Sequence, residues 1–320
     1  MMPIRRRAAQ FAVILVLLWL LGSLITGFSY MVQTTPYPVD TSPASRDLPF
    51  QEIVIASDAV SLAGWWIPAE RPVAELIFVH GAGSNRISRY IGSLDFYKTL
   101  NELNISVITM DLRNHGNSPV TDGLLRMGLA EWRDVLAAAH WLDAHAPSAL
   151  PRFLLGASMG GSAVIHALDN GLQADGLILL DPQLDVPDSL KHGAQVTTGI
   201  PAPLFSLAAQ IAVWHFDLPH GDQSPLNLAT SLTLPILLMQ DWDDPVTRSP
   251  FAEQLQRRNP SVQLHRVPAI DASAPCLAGK GGWGSHVAAL PCHPEWTRET
   301  IEAFIEPISQ TIRARSSGSL

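Results

Sequence analysis

The chain has 320 residues, 47% hydrophobic and only 16% charged, with 21 Lys+Arg against 29 Asp+Glu and a formal net charge of −8. So apolar a composition excludes a mainly disordered chain, and the acidic balance excludes the clustered basic surface of a nucleic-acid partner. Two cysteines exclude a disulfide-dense scaffold and a four-thiolate zinc site.

The first predicted element is an N-terminal helix. No Asp, Glu, Lys or Arg occurs between Arg7 and Asp40, and Phe11 to Phe28 reads FAVILVLLWLLGSLITGF. At about 1.5 Å per residue this stretch crosses most of a hydrocarbon core of roughly 30 Å, and extension to Val32 completes the span. A buried core helix would keep a polar face, which this one lacks. The apolar run exceeds the roughly 7–15 residues of a signal-peptide core, and no A-x-A site follows it, so a retained anchor is expected rather than a cleaved signal. Arg5, Arg6 and Arg7 precede the run and Arg46 is the first base after it. The positive-inside rule then keeps the N-terminus cytoplasmic and the remainder extracytoplasmic, as a single-pass membrane protein. Residues 1–32 read as stub and anchor. Residues 33–50, rich in Pro, Ser and Thr, read as a partly extended linker. Residues 51–312 read as one folded domain and 313–320 as a flexible tail. Residues 1–38 carry three arginines and no acid, so the rest holds 18 bases against 29 acids, a net of −11.

Within the domain, residues 51–67 (QEIVIASDAVSLAGWWI) predict a hairpin turning at Ser57-Asp58-Ala59. Short apolar runs follow at Glu75–His80, Ile105–Asp111, Arg152–Gly156, Gly176–Asp181, Pro235–Asp241 and Val262–Val267. Near-continuous apolar strands of this kind are buried on both faces, as in parallel sheets. Helices are predicted between them at about 88–101, 128–146, 159–170, 249–259 and 295–312. The alternation implies an α/β fold with a mostly parallel, doubly wound sheet. Residues 183–233 break it and predict a small helical cap over the carboxyl ends of the strands, where open sheets bind ligands. Phe205, Leu204, Ile211 and Trp214 of that cap either line an acyl pocket or pack the cap on the sheet.

Gly156-Ala157-Ser158-Met159-Gly160 matches G-x-S-x-G, between apolar RFLL and helix-forming SAVIHAL. A nucleophilic Ser at a strand-to-helix turn adopts strained backbone angles, and small flanking residues let strand and helix approach. With SLAGWWIPA (61–69), FVHGAGSN (78–85), DLRNHGNS (111–118), LAEWRDVLAAAHWL (129–142) and DWDDPVT (241–247), the chain resembles the α/β-hydrolase-fold serine hydrolases over about residues 50–310. It is especially similar to the membrane-anchored Bem46-like group.

That resemblance implies a Ser-His-Asp triad and a two-amide oxyanion hole. Ser158 is the expected nucleophile, with one oxyanion donor at the Met159 amide and the other, after His80-Gly81, at Ala82. His80 and His115 are expected to brace loops rather than act as the base. The fold's chain order places the acid after the strand ending at Asp241, where Asp244 aligns best, with Asp243 as runner-up and Asp181 as a further alternative; Asp241 itself is expected to end the strand or cap a turn. The base is His286, with His293 and His265 as competitors. Cys276 and Cys292 flank His286 and are expected to pair in an oxidising compartment, pinning that long loop. Neither GAGSNR nor Ala278-Gly279-Lys280-Gly281 satisfies a nucleotide-binding fingerprint. No metal or organic cofactor is expected. The expected activity is hydrolysis of a small-molecule or lipid-like acyl ester through an acyl-enzyme. The rivals are a peptidase or thioesterase with the same triad, and a non-catalytic membrane-tethered binding domain.

Overall fold

A computed structural model describes residues 2–88, 90–146 and 150–317. Eight strands form one sheet: β1 (Gln51–Ser57), β2 (Val60–Ile67), β3 (Ala74–Val79), β4 (Ile105–Met110), β5 (Arg152–Ala157), β6 (Gly176–Leu180), β7 (Ile236–Gln240) and β8 (Val262–Arg266). Their spatial order is β1-β2-β4-β3-β5-β6-β7-β8. The β1–β2 hairpin joins antiparallel to β4, and every later pairing is parallel. The burial pattern follows position in the sheet. The central strands β3 to β7 are buried along their length, apart from the half-buried Arg152 that opens β5, whereas the edge strand β1 alternates exposed and buried residues. The hairpin turns on Asp58, whose φ of 51° suits a short polar side chain.

Helices cover both faces. α1 is Met2–Ser29, α2 Ser93–Glu102, α3 Trp132–His145, α4 Met159–Asp169, α5 Val186–Thr198, α6 Ser206–His215, α7 Pro225–Ser231, α8 Ser249–Arg258, α9 Ala289–Cys292 and α10 Pro294–Ser317. Val135 and Leu142 of α3, Val164 of α4 and Leu255 of α8 fill the core on one face. Tyr97 and Leu100 of α2, with Ile301 and Phe304 of α10, fill the other. The chain passes from β3 to β4 on one side and then to β5 on the other. The order therefore reverses between β3 and β5, and the crevice at their carboxyl ends is the switch point where such sheets take ligands.

Two boundaries differ from expectation. Helix α10 runs past residue 312 to Ser317, because IRARSS contains no helix breaker before Gly318; residues 318–320 of the expected tail lie outside the described residues. Residues 33–50 are pinned to the domain rather than strung free. Gln33 bridges Leu124, the Thr34 amide donates to Gly123, the Val39 amide donates to Asn117, and Arg46 pairs with Asp95. The cap region comprises α5, α6, α7 and short 3-10 turns, and α1 packs along α6.

One buried carboxylate ties three of these parts together. Asp134, at the start of α3, accepts from Ser57 Oγ at the end of β1 (2.6 Å), from the Arg113 amide (2.9 Å) and from the Arg113 guanidinium (2.7 Å). Its side chain has no solvent exposure, and that of Arg113 is 13% exposed. Removing the carboxylate strands a largely buried guanidinium. Asp134→Ala is therefore expected to lower stability by about 3–5 kcal/mol, read from the urea midpoint with an unchanged m-value.

Candidate active site

Ser158 stands between β5 and α4 with φ 52° and ψ −122°, outside the regions ordinary L-residues favour. The small neighbours make the turn possible. A Cβ on Gly156 would lie 2.5 Å from the Gly160 carbonyl, and one on Gly160 would lie 2.3 Å from the Val79 carbonyl. β5, α4 and the end of β3 thus meet backbone to backbone. The Ser158 amide donates to Leu180 O, and its carbonyl accepts from Gly161 and Gln183.

The structure joins Ser158 to two of the expected residues. Ser158 Oγ is 3.0 Å from His286 Nε2, and His286 Nδ1 is 2.8 Å from Asp244 Oδ2. Asp244 is held in turn. Its Oδ1 accepts the amides of Val246 and Thr247, and its Oδ2 accepts the Thr247 hydroxyl at 2.6 Å. The competing residues are placed elsewhere. Asp243 is exposed on the turn, and its amide donates to Asp241 Oδ1. His293 sits at the α9–α10 junction, where its amide donates to Ala289 O. His265 lies on the edge strand β8.

Asp181, the remaining alternative, does something the sequence did not suggest. It ends β6 with φ 41°, fully buried. Its Oδ1 accepts the Asp241 amide at 2.7 Å and its Oδ2 accepts the Val287 amide at 3.0 Å. One side chain therefore holds both the acid loop and the base loop. Burial, then the charge of Asp244, keeps its carboxyl well above the usual range. Asp181, Asp244 and His286 bring ligand atoms close enough together for a metal ion. Those atoms are engaged with N–H and O–H donors that a cation would have to displace, so the set fits a hydrogen-bonded network better. Lys280 of the same loop is lowered to about 8 by burial, against the pull of Asp181 and Asp244.

Two buried histidines brace the loop that passes Ser158 on the other side. Met159 is the first residue of α4, so its N–H has no acceptor within the helix. Gly81 passes so close that a Cβ there would lie 3.1 Å from Ser158 Cβ, which brings the Gly81-Ala82 backbone beside the hydroxyl. His80 Nε2 accepts the Leu112 amide at 3.1 Å, leaving Nδ1–H to donate to Gly81 O at 2.8 Å. His115 Nε2 accepts the Gly83 amide at 3.2 Å, and its Nδ1–H donates to Arg113 O. Burial pushes His80 down to about 3 and lowers His115 as well. Asp111 extends the brace by accepting the amides of Arg86 and Asn117.

A disulfide joins Cys276 to Cys292 across the loop that carries His286. Ser158 and His286 lie on the wall of a cleft of about 580 Å³. Among the described residues, no Asp, Glu, Lys or Arg lines it. Of the four cap residues expected at an acyl pocket or on the sheet, only Phe205 lines the cleft. Leu204 and Trp214 point outward, 49% and 75% exposed, and Ile211 packs against Gly27 of α1. Helix α1 packs along α6 on the side of Ala208 and Ile211, while Ala209, Ala212 and Val213 of α6 join the main core. Thr26 and Tyr30, at the end of α1, line the cleft instead.

Known proteins resemble this chain in sequence and fold. The Hydrolase_4 family model, described as serine aminopeptidase, S33, matches residues 70–220. Human monoglyceride lipase is 30% identical over 155 residues, covering 45% of this chain and 48% of the lipase. Phospholipase YtpA of Bacillus subtilis is 34% identical over 122 residues, covering 38% and 44%. The chain thus spans half or less of the curated relatives it matches. Among solved structures, the Pyrococcus furiosus esterase Pf2001 superposes with a TM-score of 0.68 at 20% identity, over 86% of this chain and 98% of that one. Est1E of Butyrivibrio proteoclasticus, solved with ferulic acid, superposes with a TM-score of 0.57 at 15% identity, over 79% and 99%. By these superpositions the chain has the α/β-hydrolase fold; the narrower likeness to Bem46-like proteins stays a resemblance.

Two outcomes follow from this geometry. His80 in the folded protein resists protonation until about pH 3, whereas the unfolded chain takes a proton near 6.5. Stability is therefore complete above about pH 6.5 and falls as pH drops towards 3. In urea titrations from pH 7 to 4, His80→Gln is expected to flatten this acid slope. Separately, Cys276→Ser releases a loop whose closure is worth about 3 kcal/mol in the chain-entropy model. It is expected to lower kcat several-fold while the far-ultraviolet circular dichroism of the sheet stays unchanged.

Proposed function

We propose that this chain is a membrane-anchored serine hydrolase that cleaves an uncharged acyl ester through an acyl-enzyme. The observation that carries this reading is the hydrogen-bonded chain from Ser158 Oγ through His286 to Asp244 at the wall of an apolar cleft. Ser158 Oγ attacks the ester carbonyl while His286 Nε2 takes its proton. Asp244 keeps the other imidazole N–H oriented and stabilises the imidazolium that forms. Negative charge on the former carbonyl oxygen falls between the amides of Met159 and Ala82; each such donor typically contributes a few kcal/mol, roughly 3–4. His286 then protonates the leaving alcohol, and a water activated by the same imidazole releases the acid. No step requires a metal or an organic cofactor.

Among serine-hydrolase chemistries, the lining of the cleft favours esters. A peptidase that selects a free amino terminus needs an anionic partner for the ammonium group. Beside Ser158 the described lining offers hydroxyls, amides, aromatic rings and one imidazole, with no carboxylate. Relatives named as lipases and a phospholipase agree with this choice.

The membrane part of the reading rests on α1. Arg7–Ser29 is long and apolar enough to cross a bilayer, and only 11% of its apolar window is buried by the protein. Large side chains such as Phe11, Leu17 and Leu21 stand more than half exposed, which water disfavours and lipid does not. Retention of the helix is supported by its contacts with the cap, and the arginines before it support a cytoplasmic N-terminus with the hydrolase domain on the other side.

A fluorophosphonate probe tests the chemistry. The wild-type chain is expected to be labelled at Ser158 and to hydrolyse p-nitrophenyl acyl esters; Ser158→Ala is expected to lose labelling and at least about 10³-fold in kcat. A folded wild type that neither labels nor turns over any ester points to the binding-domain alternative.

A further inference from the structure

The span and the cap are one packed unit. Along α1, the Trp19 indole N–H donates to Leu204 O at 2.9 Å, Gly27 meets Ala208 and Ile211, and the Phe28 ring lies 4.7 Å from His215. The fit at Gly27 is close: a Cβ there would lie 2.7 Å from Ala208 O. Ser23, one turn earlier, is also buried, so small residues on α1 admit the cap helix much as they admit neighbours within bilayers.

The packed cap segment is itself free of charge. From His192 to Phe216 there is no Asp, Glu, Lys or Arg, a stretch of 25 residues bounded by Lys191 and Asp217. An aqueous surface of this length ordinarily carries several charges. Ile200, Leu204 and Trp214 stand exposed on it, 46%, 49% and 75% respectively. Leu204 is level with Trp19, eight residues before Gly27, which is about 12 Å along the helix axis. If α1 spans a bilayer, this part of the cap lies beside it at the depth of the adjoining leaflet.

We propose that the cap segment 192–216 sinks with α1 into the leaflet next to the hydrolase domain, so that the Ser158 cleft takes its ester laterally from the bilayer. The inference rests on the anchor reading above. The cleft wall supports it: Thr26 and Tyr30 of α1 face Thr197, Thr198 and Phe205 of the cap across the same cavity that reaches Ser158. The space between anchor and cap is thus continuous with the nucleophile. The substrate is an ester already dissolved in the membrane, one whose acyl chain need not cross water to reach Ser158.

The test uses the full chain in phosphatidylcholine vesicles, with a single cysteine carrying an environment-sensitive NBD fluorophore. Cys276 and Cys292 are paired and do not compete for label. Leu204→Cys reports the cap, Leu17→Cys the span, and Arg257→Cys, on the exposed charged face of α8, the aqueous control. Doxyl-labelled lipids are expected to quench the probes at 17 and 204 but not at 257. Quenching at 17 without quenching at 204 overturns the proposal while leaving the anchor in place. No quenching at 17 removes the anchor reading and the proposal with it. In a second arm, Ile200→Asp, Leu204→Asp and Trp214→Asp are combined, since a charge on an interfacial surface strongly opposes insertion. Turnover of a long-chain ester held in the vesicle is expected to fall about tenfold, with a water-soluble short-chain ester unaffected. An equal effect on both esters, or none on either, overturns the lateral route. Failure of the hydrolase reading shows separately, as absence of fluorophosphonate labelling while the depth probes still report.

Discussion

The site depends on backbone held where side chains disfavour it. Ser158, Asp181 and Val287 all have positive φ, at 52°, 41° and 49°, and none is glycine. Val287 is β-branched, which makes that conformation more costly still. Each such residue costs on the order of 1–3 kcal/mol and persists only where the surroundings over-determine it. Here the three restrain one another. The Ser158 amide is bound by the Leu180 carbonyl, next to Asp181, and the Val287 amide is bound by the Asp181 carboxylate. Strain at the nucleophile, behind the acid and after the base is therefore one connected constraint.

Around it several polar groups are buried and held by hydrogen bonds to the backbone. His80 and His115 are buried with each ring nitrogen engaged by backbone, which fixes their tautomers and denies them a proton. They hold the 80–83 loop without adding charge beside the position where an oxyanion would form. Asp111 accepts the amides of Arg86 and Asn117, yet burial still raises its carboxyl above the usual range. Asp181 combines both influences, with two amides against burial and a neighbouring carboxylate, and burial prevails.

The strand–helix alternation and the serine turn were legible because both are local. Six apolar runs and the glycines around Ser158 express their roles within a few residues. The meeting of Asp244 with His286 spans 42 positions, and that of His286 with Ser158 spans 128. Sequence order narrowed those choices to a few residues each, but which histidine reaches Ser158 depends on how a long loop is pinned. Asp181 was visible as a carboxylate at a strand end, yet its two backbone partners come from loops 60 and 106 positions away. Its function as a clamp had no local signal. The cap residues were misjudged for a related reason: composition marks Leu204, Ile211 and Trp214 as apolar but says nothing of the helix from the other end of the chain that occupies their flank.

That helix also makes sense of the charge distribution. Outside residues 1–38 the chain carries a net charge of −11, yet neither the described lining of the cleft nor residues 192–216 hold a single charged side chain. The exposed acids therefore lie elsewhere on the surface. Under the proposed anchoring, anionic head groups repel that surface, while the uncharged cap and span meet no such penalty. Under that same proposal, the segregation favours an orientation with the uncharged cap towards the membrane. A single span leaves a domain free to swivel on its linker, but here residues 33–46 are hydrogen-bonded to the domain and α1 is keyed into α6 at Gly27. The linker's attachment removes the freedom that would otherwise compete with that orientation. The same contacts that make α1 a wall of the cleft thereby set the direction in which the cleft opens.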